Sequence, residues 1–174
     1  MKNKKLNKIG ILGGTFDPAH KGHIAISKEA IRSYKISKVI WAVTKKNPFK
    51  AESETTVLKR IKVCKRIIGL NSFIKVKFYE NIIQSNKTID LINYLKKNKK
   101  VEIYFLMGAD NLISFHKWHK SKLISQKCNI LVFDRHGYKK NSLKSKTFKH
   151  LNKDVLKFIE FKKVNISSSQ LRKI

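Results

Sequence analysis

The stretch that most restricts what this chain can become is Gly13-Gly14-Thr15-Phe16-Asp17-Pro18-Ala19-His20-Lys21-Gly22-His23. An apolar run interrupted and bounded by glycine, Lys8-Ile9-Gly10-Ile11-Leu12, leads into it and reads as a buried strand. Beyond it Ile24, Ala25, Ile26, Ala30 and Ile31 recur at helical spacing as far as Tyr34. The local order is therefore strand, glycine turn, helix. Gly13 and Gly14 carry no side chain, so a bulky anion can approach the backbone, and Asp17-Pro18 signals a turn. His20 and His23 are one helical turn apart and can face one spot at the helix start. Free N–H groups and the macrodipole at that end attract phosphate. Two imidazoles there can donate hydrogen bonds to phosphoryl oxygens.

The rest of the chain alternates in the same way. Apolar runs predict strands over 39–43, 73–78, 101–107, 129–133 and 157–161. A helix is predicted over 55–68, with Val57, Leu58, Ile61, Cys64, Ile67 and Ile68 as its inward stripe and Gly69 as its stop. Thr88 is expected to cap a helix reaching Lys97, and 139–157 has a weak helical pattern. Ser167 or Ser168 is expected to cap a last helix through Arg172. The expected fold is α/β: one domain over 1–174, Rossmann-like and doubly wound, with a mainly parallel sheet and helices on both faces. In such sheets ligands bind beyond the C-terminal strand ends. Residues 13–23, the lysine-rich loop 45–50, 108–110 and 134–137 should all meet there.

Composition narrows the function classes. The formal net charge of +29 suggests an anionic partner. Only five of the 40 basic residues are arginine, the other 35 being lysine spread among Asn and Ile. Arginine is what bidentate base and phosphate recognition favours, so nucleic-acid binding is disfavoured as the principal function. No apolar stretch reaches the ~20 residues of a membrane span. Cys64 and Cys128 are lone and among apolar neighbours, which suits core residues in a reducing cytoplasm.

Two other chemistries fit poorly. Gly10, Gly13 and Gly14 do not make a GxGxxG fingerprint, and no acid follows Val43, so hydride transfer is disfavoured. His20 with His23, and His116 with His119, lack the further ligands of a zinc site. Two more segments invite chemistry. In Met107-Gly108-Ala109-Asp110-Asn111-Leu112-Ile113-Ser114-Phe115-His116-Lys117-Trp118, Asp110 can either cap a helix or accept ribose hydroxyls. Trp118 can either join the core or stack on an aromatic ring. In Asn165-Ile166-Ser167-Ser168-Ser169-Gln170-Leu171-Arg172, hydroxyls, N–H groups and a guanidinium could form a second phosphate cradle.

The first string resembles the GGTFDPxHxGH signature of the nucleotidyltransferase superfamily, with its HxGH core. GGTFDPAHKGH, GADNLISFHKW with ILVFDRHGY after it, and NISSSQLR together resemble the bacterial nicotinate-nucleotide adenylyltransferases over nearly the whole chain. The resemblance implies transfer of AMP from ATP to nicotinate mononucleotide, giving deamido-NAD and pyrophosphate, with Mg²⁺ held mainly by the ATP phosphates. The front and end motifs alone also fit transfer to another phosphate, such as phosphopantetheine or nicotinamide mononucleotide. By matching position, His20, His23 and Arg172 would be catalytic. Gly13, Gly14, Thr15, Phe16, His20, His23, Gly108, Asp110, Ser168, Ser169 and Arg172 would bind ATP. Lys50, Thr88, Trp118 and Arg135 would bind nicotinate mononucleotide, and no protein-bound metal is expected. The loop Asn47-Pro48-Phe49-Lys50 departs from the family, where two prolines and a histidine often precede the basic residue. Both a monomer and a homo-oligomer are compatible with the sequence.

Overall fold

The computed structural model describes residues 6–46, 53, 55–97 and 100–160. Its strands are β1 (Asn7–Gly14), β2 (Lys38–Val43), β3 (Ile74–Phe78), β4 (Val101–Gly108), β5 (Asn129–Phe133) and β6 (Leu156–Ile159). They form one sheet in the order β3-β2-β1-β4-β5-β6, and every pairing is parallel. This is the order of an open doubly wound sheet, whose direction of winding reverses between β1 and β4. In such sheets ligands bind beyond the strand ends at that switch point, which here follows Gly14 and Gly108.

Alternation along the strands builds two cores. Ile9, Ile11, Ile103, Phe105, Ile130 and Val132 face one side. There α4 (Thr88–Lys96), α5 (Ala109–Ser114) and α6 (Ser121–Lys127) contribute Ile89, Ile92, Leu112 and Ile124. Leu12, Trp41, Tyr104, Leu106, Leu131 and Phe133 face the other, covered by α1 (Lys21–Tyr34) and α2 (Val57–Ile68) through Ala30 and Cys64. Both cysteines are buried as expected, and burial pushes each thiol up to about 12. Gly10 faces the second core. A Cβ there would stand 3.0 Å from Val39 Cγ2 and 3.2 Å from Leu106 Cδ1, so close strand-to-neighbour packing selects glycine.

Three helix expectations need correction. Leu58 is not part of the inward stripe of α2 but 73% exposed, while Arg60 is 3% exposed on the inward side. Thr88 does not cap α4: Lys87 precedes it as the N-cap without a side-chain bond, and Thr88 is the first helical residue. The weak pattern over 139–157 resolves into two short helices, α7 (Lys139–Lys144) and α8 (Lys146–His150). The four-residue α3 (Glu80–Ile83) and α6 are too short to leave a helical period in the sequence. Gly69 does end α2, at φ 54°, a conformation glycine adopts without penalty.

Candidate active site

The helix after the glycine turn begins three residues earlier than its apolar spacing suggests, and this places the histidines. His20 is the N-cap of α1 and His23 its third residue. The Gly22 N–H donates to His20 Nδ1 at 3.1 Å, and the His20 N–H donates to His23 Nδ1, also at 3.1 Å. Each Nδ1 is thus an acceptor, which puts the proton of a neutral ring on Nε2. The two rings lie 3.9 Å apart between centroids. Burial, and next the charge of Arg135, hold His20 down to about 4, so it stays a neutral donor at pH 7.

His23 rests on aromatic rings. Phe16 lies 4.9 Å from it and stacks on Trp41 at 5.0 Å and 14°. Trp41 Nε1 donates to Ser27 Oγ at 2.9 Å, and Ser27 Oγ donates to the His23 carbonyl at 2.8 Å. Phe16 reaches this position with φ 51°, outside the usual range for a non-glycine residue. Its ring is 2% exposed and belongs to the core, so any contact with ATP falls to its backbone. Asp17, 4% exposed, accepts from Thr55 Oγ1 at 2.8 Å and ties the turn to the approach to α2.

Across the switch point stands a second group. Asp110 does not cap α5; its Oδ2 accepts from Arg135 Nη1 at 2.6 Å. Gly108 makes room for this: a Cβ there would lie 2.5 Å from Asp110 Oδ1. Arg135 also covers the Tyr138 ring at 5.5 Å. The Arg135–Asp110 pair joins the loops after β4 and β5, and the charge of Arg135 reaches His20 on the loop after β1.

Next to these loops is a cavity of about 390 Å³. Gly13, Gly14 and Thr44 form one wall, and Tyr79, Glu80, Thr88 and Trp118 lie around it. Trp118 joins the core, as one of its two expectations had it, and reaches the cavity as well. One side packs on Phe115 and Phe105, at 5.3 and 5.9 Å between centroids, and the residue also lines the cavity. The predicted acceptor residues are therefore divided, with Thr88 and Trp118 at the cavity and Arg135 beside Asp110 and His20. Lys50 and the cradle of Ser167, Ser168, Ser169 and Arg172 lie outside the described residues. Sequence reasoning passed over Arg60, Thr44 and Glu80. A faint signal existed for Arg60: an arginine in a chain that uses lysine almost everywhere, four residues before the inward Cys64.

A Rossmann-like sheet with a glycine turn, paired imidazoles and a helix start at its switch point defines a nucleotide-handling α/β protein. A family model described as Cytidylyltransferase-like matches residues 11–174, and the chain belongs to that family. It is 67% identical over 172 residues to a Pelagibacter ubique protein named "Probable nicotinate-nucleotide adenylyltransferase", covering 99% of this chain and 96% of the relative. A protein of the same name from Agrobacterium fabrum is 37% identical over 131 residues, 74% of this chain and 70% of its own. In fold the chain is similar to a Plasmodium falciparum nicotinic acid mononucleotide adenylyltransferase complexed with NaAD. The TM-score is 0.75 at 23% identity, covering 96% of this chain and 83% of that one. Among the described residues no helix is long and apolar enough to cross a membrane.

Proposed function

We infer that the protein transfers AMP from ATP to nicotinate mononucleotide, releasing pyrophosphate and forming deamido-NAD. The observation that carries this reading is the pair of histidines with Nδ1 tied to backbone N–H groups, beside a cavity walled by Gly13 and Gly14. The likeness to relatives of that name supports the choice of acceptor.

The nucleophile is a phosphate oxygen, ionised at neutral pH, so the reaction needs no strong base. The obstacle is repulsion between two polyanions, and positioning with charge stabilisation overcomes it. His20 and His23 donate through Nε2 to the triphosphate, and the start of α1 adds its N–H groups and dipole. Gly13 and Gly14 let the phosphates approach the backbone. The family resemblance assigns the outer phosphates to Ser168, Ser169 and Arg172. Asp110, oriented by Arg135, receives the adenosine ribose beside Gly108. Thr88 and Trp118 take the pyridine end of the acceptor, and Lys50 its phosphate side. Among the described residues no three His, Cys, Asp or Glu side chains gather into a metal site. A Mg²⁺ held mainly by the ATP phosphates would neutralise charge on the triphosphate.

Pyrophosphate release tests the reading, with ATP and a panel of nicotinate mononucleotide, nicotinamide mononucleotide and phosphopantetheine. The acid mononucleotide should give the highest kcat/KM. A higher value with either other acceptor would overturn the assignment.

A further inference from the structure

The most deeply buried arginine of the described chain makes no contribution to the chemistry above. Arg60 is 3% exposed in α2, yet its guanidinium reaches three separate segments. Nη1 donates to the Thr15 carbonyl at 2.5 Å and to the Thr44 carbonyl at 2.7 Å. Nη2 donates to the Lys45 carbonyl at 3.3 Å, and Nε to the Thr55 carbonyl at 3.1 Å. Burial lowers its pKa, while Asp17, Cys64 and Glu80 act in the opposite direction. A buried charge satisfied this fully is costly to leave half-bonded.

The segments it joins are functional ones. Thr15 belongs to the glycine turn that takes the triphosphate. Thr44 directly follows β2, on the wall of the acceptor cavity. The Thr44 N–H donates to the Gly14 carbonyl at 3.0 Å. Its hydroxyl donates to Glu80 Oε1, and the Lys45 N–H reaches the same oxygen at 3.2 Å. A continuous polar chain therefore runs from the phosphate turn through Arg60 and Thr44 to Glu80, which also lines the cavity. The planar fork suits this task. A lysine ammonium is a point donor and cannot span carbonyls on three segments.

We propose that Arg60 is a positioning residue that sets the spacing between the triphosphate turn and the acceptor-side loop, so that the two bound anions meet in line. The proposal rests on the adenylyl-transfer reading. The guanidinium is turned to backbone carbonyls, so it acts through the two loops. An error of about 1 Å in such spacing costs on the order of 10²-fold in rate.

The test compares wild type with Arg60→Lys, Arg60→Ala and Arg66→Ala, the last an exposed arginine of the same helix. Melting temperature, kcat and both KM values are measured. Binding of a non-hydrolysable ATP analogue is measured with and without nicotinate mononucleotide. Arg60→Lys should stay folded and lose about 10²-fold in kcat with each KM within about threefold, and millimolar guanidinium should partly restore kcat in Arg60→Ala. In wild type each ligand should alter the other's affinity, and Arg60→Lys should abolish this coupling. Arg66→Ala should match wild type. A wild-type kcat in Arg60→Lys, or a loss in both variants that follows only the unfolded fraction and ignores guanidinium, overturns the proposal. Should Arg60→Ala fail to fold, Arg60→Lys decides. Should wild type prove inactive with every acceptor, the functional reading fails and the binding coupling alone decides the role of Arg60.

Discussion

At the N-terminal end of the sheet, three residues converge on one carboxylate. Lys8 Nζ lies 3.9 Å from Glu102 Oε2, and Tyr104 Oη and Asn129 Nδ2 donate to Glu102 Oε1 at 2.7 and 3.0 Å. At the C-terminal end, Arg60 is held by four backbone carbonyls and the histidines by backbone N–H groups. A carboxylate cancels the charge it fixes, whereas peptide dipoles fix a cation or a ring with little cancellation. One end of the sheet is closed by its own ion pair. The other keeps positive potential and oriented donors for an anion that the chain does not supply. Among the described residues that end also holds two ion pairs, Asp110 with Arg135 and Glu160 with Lys139, and in the proposed chemistry the Asp110 carboxylate is turned to a ribose rather than to phosphate.

If this contrast is right, substitutions at the two ends should separate rate from stability. His23→Ala should lower kcat by roughly 10² or more while the circular dichroism spectrum stays that of the native fold, the scale of losing one oxyanion donor. Near-normal turnover would remove the chemical role of the C-terminal end. Gly108→Ala should raise the KM for ATP about tenfold, because its Cβ displaces the Asp110 carboxylate from Arg135, which costs about one charge-assisted hydrogen bond. An unchanged KM would show that the carboxylate does not meet the ribose.

The third prediction concerns pH. His20 titrates lower folded, at about 4, than in an unfolded chain, near 6.5. Between those values the unfolded chain binds more protons, so stability is full above about 6.5 and is lost as pH falls to about 4. Urea midpoints across that window should fall less in His20→Gln than in wild type; equal slopes would place His20 in an ordinary solvated site. The smallest effect belongs to the other end of the sheet. Glu102→Gln should cost under about 1 kcal/mol and leave kcat unchanged. A drop in kcat would erase the distinction between the two ends.

What was legible in the sequence follows the range of the forces involved. The inner strands are near-continuous apolar runs, and the edge strands β3 and β6 carry lysine among apolar residues, so all six left a readable pattern. The glycine turn and its histidines act within a few residues of one another and could be read locally. Arg60 could not, because its acceptors include Thr15, 45 positions away, and an apolar period counts leucine as inward and arginine as outward. Leu58 was misplaced by the same rule. Asp110 was ambiguous between cap and ligand for a similar reason: its partner Arg135 is 25 residues distant. Thr88 has the composition of a cap, but the chain enters α4 one residue too early for its hydroxyl to serve.

The most direct test of the central claim is a nitrogen-15 NMR titration of the histidine side chains, with and without a non-hydrolysable ATP analogue. His20 and His23 should both carry their proton on Nε2 at pH 7, His20 should remain neutral until the pH approaches about 4, and the analogue should shift both Nε2 resonances. A His20 that titrates near 6.5 with a protonated Nδ1, or Nε2 resonances indifferent to the analogue, would contradict the claim.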